Sequence, residues 1–221
     1  MGFFGAKPQI WGHDPEHLAV EFSGSDLKPG TPVDHLVVRP AIGRDYLAIE
    51  SVRRANRAWL SPWEATLPPG STERLPGMGG YQRRCEKQMR DSLGLYMVIE
   101  ADEEAAGTIS IAGVQHGAMS QGVLGYWIGE QWARQGITSL AVAAVIDMAL
   151  LQLGLHRLEI NVRPENEPSL RLCHSIGLRR EGLKPRFMCI GGQWRDHVGF
   201  SVDREMLQQE PLVERLRRKR Q

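Results

Sequence analysis

Cysteine is scarce in this chain. Cys85, Cys173 and Cys189 are the only three in 221 residues, odd in number and widely spaced. That set excludes a disulfide framework and a cysteine-built zinc site, and it points to a reducing compartment. Excess charge is lacking too: Lys and Arg number 27 and Asp and Glu 26, a formal net charge of +1. Bulk electrostatics therefore predict neither a nucleic-acid nor a membrane partner. The longest apolar run, residues 137–155, is interrupted by Ser139, Asp147 and Gln152, so it reads as a buried soluble helix. The opening residues hold a single Lys and no apolar core, so no signal peptide is expected and a cytoplasmic protein is.

What the chain does contain is one order of elements. Residues 1–34 are rich in Gly, Pro and charge without a sustained period, and predict an irregular arm. "HDPEH" in that arm resembles a metal motif, but further ligands are missing nearby and a polar loop is the expectation. A strand is predicted at 35–40, a helix at 44–60, a Pro- and Gly-dense loop at 61–80 and a polar helix at 81–93. Three strands follow, "LYMVIEA", "EEAAGTISIAGVQHG" and "QGVLGYWIG", and then the apolar helix. "HRLEINVRP" is a strand, "NEPSLRLCHSIGL" a short helix stopped at Gly177, and a hairpin turns at Gly191 and Gly192. A terminal helix from 202 decays into "RLRRKRQ". Antiparallel runs broken by two strand–helix crossovers give an α/β fold, a mixed sheet with helices on its faces. No internal repeat or second domain is evident.

The chemistry is expected at "WIGEQWARQGIT", where a strand meets a loop with a central Gly136 and then the apolar helix. The first N–H groups of a helix have no internal partner and carry the positive end of its dipole. An anion bound there needs no basic side chain. Gly136 lets a phosphate approach the main chain, and Thr138 or Ser139 is placed to cap the helix. Both standard phosphate signatures are absent: no Lys follows Gly136, and the loop holds one glycine where a dinucleotide loop holds three. Spacing alone supports an anion site and names no ligand.

Three segments, "LGYWIGEQWARQGIT", "HRLEINVRPENEPS" and "GLKPRFMCIGGQWRDHV", resemble the GNAT superfamily of acetyl-CoA-dependent N-acetyltransferases. Within it they are similar to the RimJ/RimL branch, which acetylates protein N-termini, ribosomal proteins included. "RPAIGRDYLAIESVRRANRAWLSPWEATLP" fits the same branch. The resemblance implies a mostly antiparallel sheet of about seven strands with a splayed central pair. It divides the chain into an arm at 1–34, an acetyltransferase domain at 35–204 and a basic tail at 205–221. It implies acetyl-CoA as co-substrate and no metal. The main chain of Arg134, Gln135, Gly136, Ile137 and Thr138 would cradle the pyrophosphate, although Ala133 and Thr138 depart from the family's Q/R-x-x-G-x-G/A pattern. Trp127, Ile128 and Gly129 would pair with the pantetheine arm, and Asn166 and Ser169 would contact the coenzyme near its thioester.

The implied reaction is direct attack of a neutral amine on the thioester. An α-amino group, with pKa roughly 7.7–8.0, loses its proton near neutrality far more readily than a lysine at about 10.4. The position of the family's strand glutamate falls on Asn161, which cannot act as a base. Glu64, beside Pro62-Trp63 on the acceptor side, is the candidate base; Glu159 reads as a sheet-surface carboxylate. The place of the family's helix tyrosine falls on Cys173, a candidate acid or a buried packing residue, and Ser169 is the alternative holder of the thiolate. Asp196 and His197 are expected to tie the hairpin to neighbouring backbone. The tail offers phosphate contacts to a ribosome or RNA, or is a frayed solvated end. The leading expectation is acetylation of a protein N-terminus. A small-amine acetyltransferase and an acetyl-CoA-binding sensor without turnover are the rivals.

Overall fold

The computed structural model describes residues 18–220, so the "HDPEH" segment lies outside the described residues. Eight strands form one sheet: β1 (Val20–Ser23), β2 (His35–Pro40), β3 (Leu95–Ala101), β4 (Glu104–Gln115), β5 (Gln121–Ile128), β6 (Arg157–Val162), β7 (Arg179–Ile190) and β8 (Gln193–Asp203). Their spatial order is β1-β2-β3-β4-β5-β6-β8-β7, antiparallel throughout except for β5 beside β6. The helices are α1 (Asp45–Ala55), α2 (Arg57–Leu60), α3 (Met78–Arg90), α4 (Ile137–Asp147), α5 (Glu167–Ser175), α6 (Arg204–Leu207) and α7 (Leu212–Arg220). The mixed α/β sheet is as expected, with one strand more than the seven anticipated.

The extra strand comes from the stretch expected to be irregular. β1 pairs antiparallel with β2 from Val20↔Val38 to Ser23↔His35. Its Phe22 is buried, as are Leu18, Leu27 and Val33 around it. At four residues β1 is too short to show a period, and its anchors are spread over the flanking turns.

The sheet separates two apolar layers. The larger holds α4, whose residues from Leu140 to Ile146 are all buried, together with Ile109, Leu124, Leu158 and Phe200 from the strands. A helix apolar on every side is accounted for by burial on every side. α4 continues into a π-helical turn, Met148–Gln152, in place of the uniform helix expected. The smaller layer, on the other face, joins Ala41, Tyr46, Cys85 and Val98 under α1 and α3.

Two helices differ from expectation for identifiable reasons. The helix predicted over 44–60 breaks at Asn56, whose backbone leaves the helical region at φ −103° and ψ 21°. The Asn56 side chain donates to the Val52 carbonyl at 2.9 Å and accepts from the Glu130 amide at 2.8 Å. The tail is not one helix either: β8 runs to Asp203, α6 and α7 follow, and Leu212 and Leu216 are buried. Asp147 at the end of α4 accepts the amides of Leu212 and Val213 at 2.9 and 3.0 Å, which fixes the start of α7.

The face of β6, β7 and β8 turned from the core carries charge. Glu159 accepts from Lys184 at 2.8 Å and from Arg157 at 3.0 Å, and Glu181 pairs with the same Arg157. These bonds hold both carboxyls below their usual range. A carboxyl depressed in the folded state adds stability above its unfolded pKa and loses it as pH falls through the folded value. Core packing is tested more directly at Phe200, fully buried and set edge-on to the His174 ring at 5.3 Å. Phe200→Ala is expected to cost about 3–5 kcal/mol, measured by urea unfolding.

Candidate functional site

The site begins where two strands part. β5 and β6 are parallel neighbours only from Gln121↔Arg157 to Val123↔Glu159. Beyond that, β6 stays paired with β8 through Val162↔Val198, and β5 stays paired with β4 through Gly107↔Ile128. The sheet is split from both sides, and Leu124 to Ile128 present an edge without a strand partner. The Gly129 amide donates to the Ala106 carbonyl at 2.8 Å. By strand alternation the Ile128 N–H therefore points away from β4, into the opening. The Ile128 carbonyl accepts from Trp59 Nε1 at 3.1 Å, so α2 is fastened to this edge. Gly107 matters here although its sequence context is unremarked: a Cβ on it would lie 2.2 Å from the Trp127 carbonyl oxygen. No side chain fits that approach.

The loop after β5 makes a short 3-10 turn, Glu130–Trp132, and then bends twice. Arg134 has φ 65° and Gly136 φ 81°, both in the left-handed region. Main-chain amides around such residues converge into an anion-binding concavity. Gly136 is the N-cap of α4, and no side chain caps the helix. Thr138 and Ser139 were expected as possible caps; the N-cap is instead a glycine, which leaves the first-turn amides without a side-chain acceptor. The arrangement fits a phosphate group. Gln135 is committed elsewhere: its amide nitrogen donates to the Gln131 carbonyl at 2.8 Å, and its oxygen accepts from Thr31 at 3.2 Å.

The basic tail folds against the outer side of this loop. Arg220 Nη2 donates to the Gly136 carbonyl at 3.3 Å, and Nη1 donates to the Asp26 carbonyl. Arg217 pairs with the Asp26 carboxylate at 2.7 Å, and Arg218 with Glu210 at 2.8 Å. The end of the described chain is therefore docked rather than frayed.

α5 forms the other wall. Asn166 is its N-cap, and the Asn166 side-chain oxygen accepts from the Ser169 amide at 3.2 Å. Ser169 Oγ accepts from the Tyr126 hydroxyl at 3.0 Å, across the gap between β5 and α5. Cys173 lies one turn further in and is fully buried. Burial pushes its thiol up to about 12, against a weaker opposing hydrogen bond with Tyr126. So weak an acid is poorly suited to giving up a proton, and packing is the role its surroundings support.

Carboxylates near the opening are engaged. Glu64 takes both oxygens to Arg53, at 2.6 and 3.1 Å. The segment holding it is stitched to the sheet: Arg163 Nη1 donates to the Pro62 carbonyl at 2.8 Å and its guanidinium lies 5.5 Å from the Trp63 ring centroid. Ala65 bridges Ile190, and the Thr66 amide donates to the Cys189 carbonyl at 2.9 Å. Asn161 lies on the β6 face that carries Glu159, and its buried amide nitrogen and oxygen have no hydrogen-bond partner among the described residues. His197 is buried, its ring held below its usual pKa mainly by that burial, and Nδ1 lies 3.1 Å from the Arg195 carbonyl. Asp196 accepts the Arg186 amide at 2.7 Å. Both tie the hairpin together as expected. Among the described residues no group of three or more His, Cys, Asp or Glu is arranged to hold a metal, and no helix is long and apolar enough to cross a membrane.

A sheet opened at a parallel pair, beside an uncapped helix start, is an architecture shared with known proteins. Residues 35–179 match the Acetyltransferase (GNAT) domain. The chain is 32% identical over 170 residues to the ribosomal protein uS5-alanine N-acetyltransferase of Escherichia coli (strain K12), covering 75% of this chain and 86% of that protein. It is 33% identical over 122 residues to the probable N-acetyltransferase YjcK of Bacillus subtilis (strain 168), 55% of this chain and 66% of that protein. The structure of Mycobacterium smegmatis RimJ in complex with CoA-disulfide superposes with a TM-score of 0.75 at 30% identity, covering 86% of this chain and 90% of that one. The chain belongs to the GNAT superfamily and is an acetyl-CoA N-acetyltransferase of the RimJ/RimL type.

All three cysteines are buried. A native sample treated with an aromatic disulfide reagent should show no fast-reacting thiol, and all three should react after unfolding. A rapid stoichiometric reaction of Cys173 would place it on the surface of the slot.

Proposed function

We propose that this chain transfers the acetyl group of acetyl-CoA to the N-terminal α-amino group of a protein, a ribosomal protein being the leading candidate. The observation that carries the proposal is the 32% identity to the uS5-alanine N-acetyltransferase across 86% of that enzyme. The chemistry of the opening agrees with it. Glu64 is held by Arg53, Glu159 by Lys184 and Arg157, and Asn161 has no charge to offer. A site whose carboxylates are so engaged suits an amine that deprotonates near neutrality, with pKa about 7.7–8.0, over one at about 10.4. Spermidine acetyltransferases are more distant, at 24% identity over 117 residues. Arg53, Arg54 and Arg57 outnumber Glu50 and Glu64 in the pocket they line, which leaves a polycation no net attraction there.

In this reading the main-chain amides from Arg134 to Thr138 hold the pyrophosphate, and Gly136 permits its approach. The edge from Trp127 to Gly129 binds the pantetheine arm as an added strand. The Ile128 N–H polarises the thioester carbonyl from a fixed position, which lowers the barrier without reorganisation. Asn166 sets the first turn of α5, and Ser169 presents its hydroxyl to the sulfur. Bound acetyl-CoA supplies the activated acetyl group. Glu64, held by Arg53, helps orient the incoming amine, whose proton passes to solvent. The basic tail is committed to contacts within the chain and takes no part in this reading.

Two experiments test the proposal. Peptides beginning with Ala or Ser, the same peptides with blocked N-termini, and spermidine are incubated with acetyl-CoA and weighed by mass spectrometry. A single acetyl on the free N-termini is expected, at a rate that climbs with pH through about 7.7–8.0. Turnover of spermidine alone would overturn the assignment. Gly136→Asp forces a side chain onto a residue at φ 81° and drives it against Arg220 and Lys28, which distorts the turn that aims the loop amides. It should abolish the thermal protection given by acetyl-CoA, and normal protection would show the cradle to be elsewhere.

A further inference from the structure

Tyr126 is a part-buried titratable group beside the opening that the mechanism leaves unused. It lies on β5 at the point where the sheet has already split, and its ring packs against the main core. Its hydroxyl donates to Ser169 Oγ at 3.0 Å. Burial pushes the phenol well above its ordinary range, so it stays protonated and serves as a donor at every working pH.

A serine hydroxyl has one hydrogen and two lone pairs. With a lone pair occupied by Tyr126, the Ser169 hydrogen must find a different acceptor. Early in a helix a serine usually turns that hydrogen back to a main-chain carbonyl or out to solvent. Among the described residues no hydrogen bond from the Ser169 hydroxyl to a protein acceptor is formed. Cys173 closes the inner side of the pair, buried and in hydrogen-bond contact with Tyr126 rather than with Ser169. The direction left is outward, between α5 and the free edge of β5.

We propose that Tyr126 is a positioning residue: by donating to Ser169 Oγ it fixes the Ser169 hydrogen toward the departing sulfur of the coenzyme. The proposal rests on the acetyl-CoA slot described above. In the reaction the amine nitrogen forms its bond to the acetyl carbon, the carbon–sulfur bond breaks, and the electron pair leaves on sulfur. The amine's proton passes to solvent. Ser169 stabilises the thiolate by hydrogen bonding and keeps its own proton, and Tyr126 keeps its proton as well. Neither residue has to become an anion in a buried place, which the raised phenol would resist. The tyrosine thus acts from the strand, through serine, at the position where the helix carries Cys173.

The test uses no acceptor amine, so its outcome is independent of whether the acceptor is a protein N-terminus. Binding of CoA and of desulfo-CoA is measured by calorimetry from pH 7 to pH 10 on the wild-type protein, Tyr126→Phe, Ser169→Ala and the double variant. Thiolate stabilisation shows as CoA gaining affinity over desulfo-CoA as pH rises and the thiol ionises. Tyr126→Phe should lose about three- to tenfold of that gain, the worth of one hydrogen bond. Its affinity for desulfo-CoA should be unchanged, which a general packing defect would not allow. In the Ser169→Ala background Tyr126→Phe should add nothing, because a residue acting only through Ser169 is silent without it. An unchanged CoA gain in Tyr126→Phe, or an effect that persists in full without Ser169, overturns the proposal. Failure of the wild-type protein to bind either ligand would overturn the coenzyme slot itself.

Discussion

The structure turns on one interrupted pairing. Parallel strands β5 and β6 share hydrogen bonds over three residue pairs and then separate, each keeping its antiparallel partner on the outer side. An unpaired edge within a sheet is costly unless something else takes its donors. Here the edge is kept open by rigid neighbours. Gly107 allows β4 to press against the end of β5, Trp59 fastens the Ile128 carbonyl, and Asn56 at the end of α1 ties the Glu130 amide. The same separation points β5 into the loop that starts α4 and β6 into the turn that starts α5. Two helix starts and a free strand edge thus face one opening, and everything assigned to the coenzyme follows from that.

Electrostatics around the opening are largely settled in advance. The carboxylates have cations of their own, the thiol and the phenol are kept neutral by burial, and Asn161 is uncharged. The unfilled hydrogen-bonding capacity lies in main-chain amides and in neutral side chains. A slot of this kind favours positioning and polarisation over strong acid–base chemistry. That fits an acceptor that needs little help to lose its proton.

Much of this was legible in the sequence because it depends on local pattern. Alternation in β2 and β6, the uniform apolarity of α4, the hairpin at Gly191 and Gly192 and the strand–Gly136–helix junction all declare themselves within a dozen residues. What was hidden depends on pairs far apart in the chain. β1 is recognisable only once β2 is present to pair with it. Asn56 breaks a helix that its own neighbours would continue, because it bonds to Glu130. Tyr126 is an ordinary residue until the fold brings its hydroxyl within 3.0 Å of Ser169. The tail read as a loose basic end because Asp26 and Gly136, its contacts, are remote in sequence.

The docking of that tail has a consequence for the order in which the molecule is completed. Arg217 and Arg220 lie downstream of every strand, yet they brace the loop at Gly136 and the turn at Asp26. These contacts cannot form until the chain has been made through α7. The brace on the loop at Gly136 is therefore the last part to be supplied, and a polypeptide cut just short of α7 would lose it together with the buried Leu212 and Leu216.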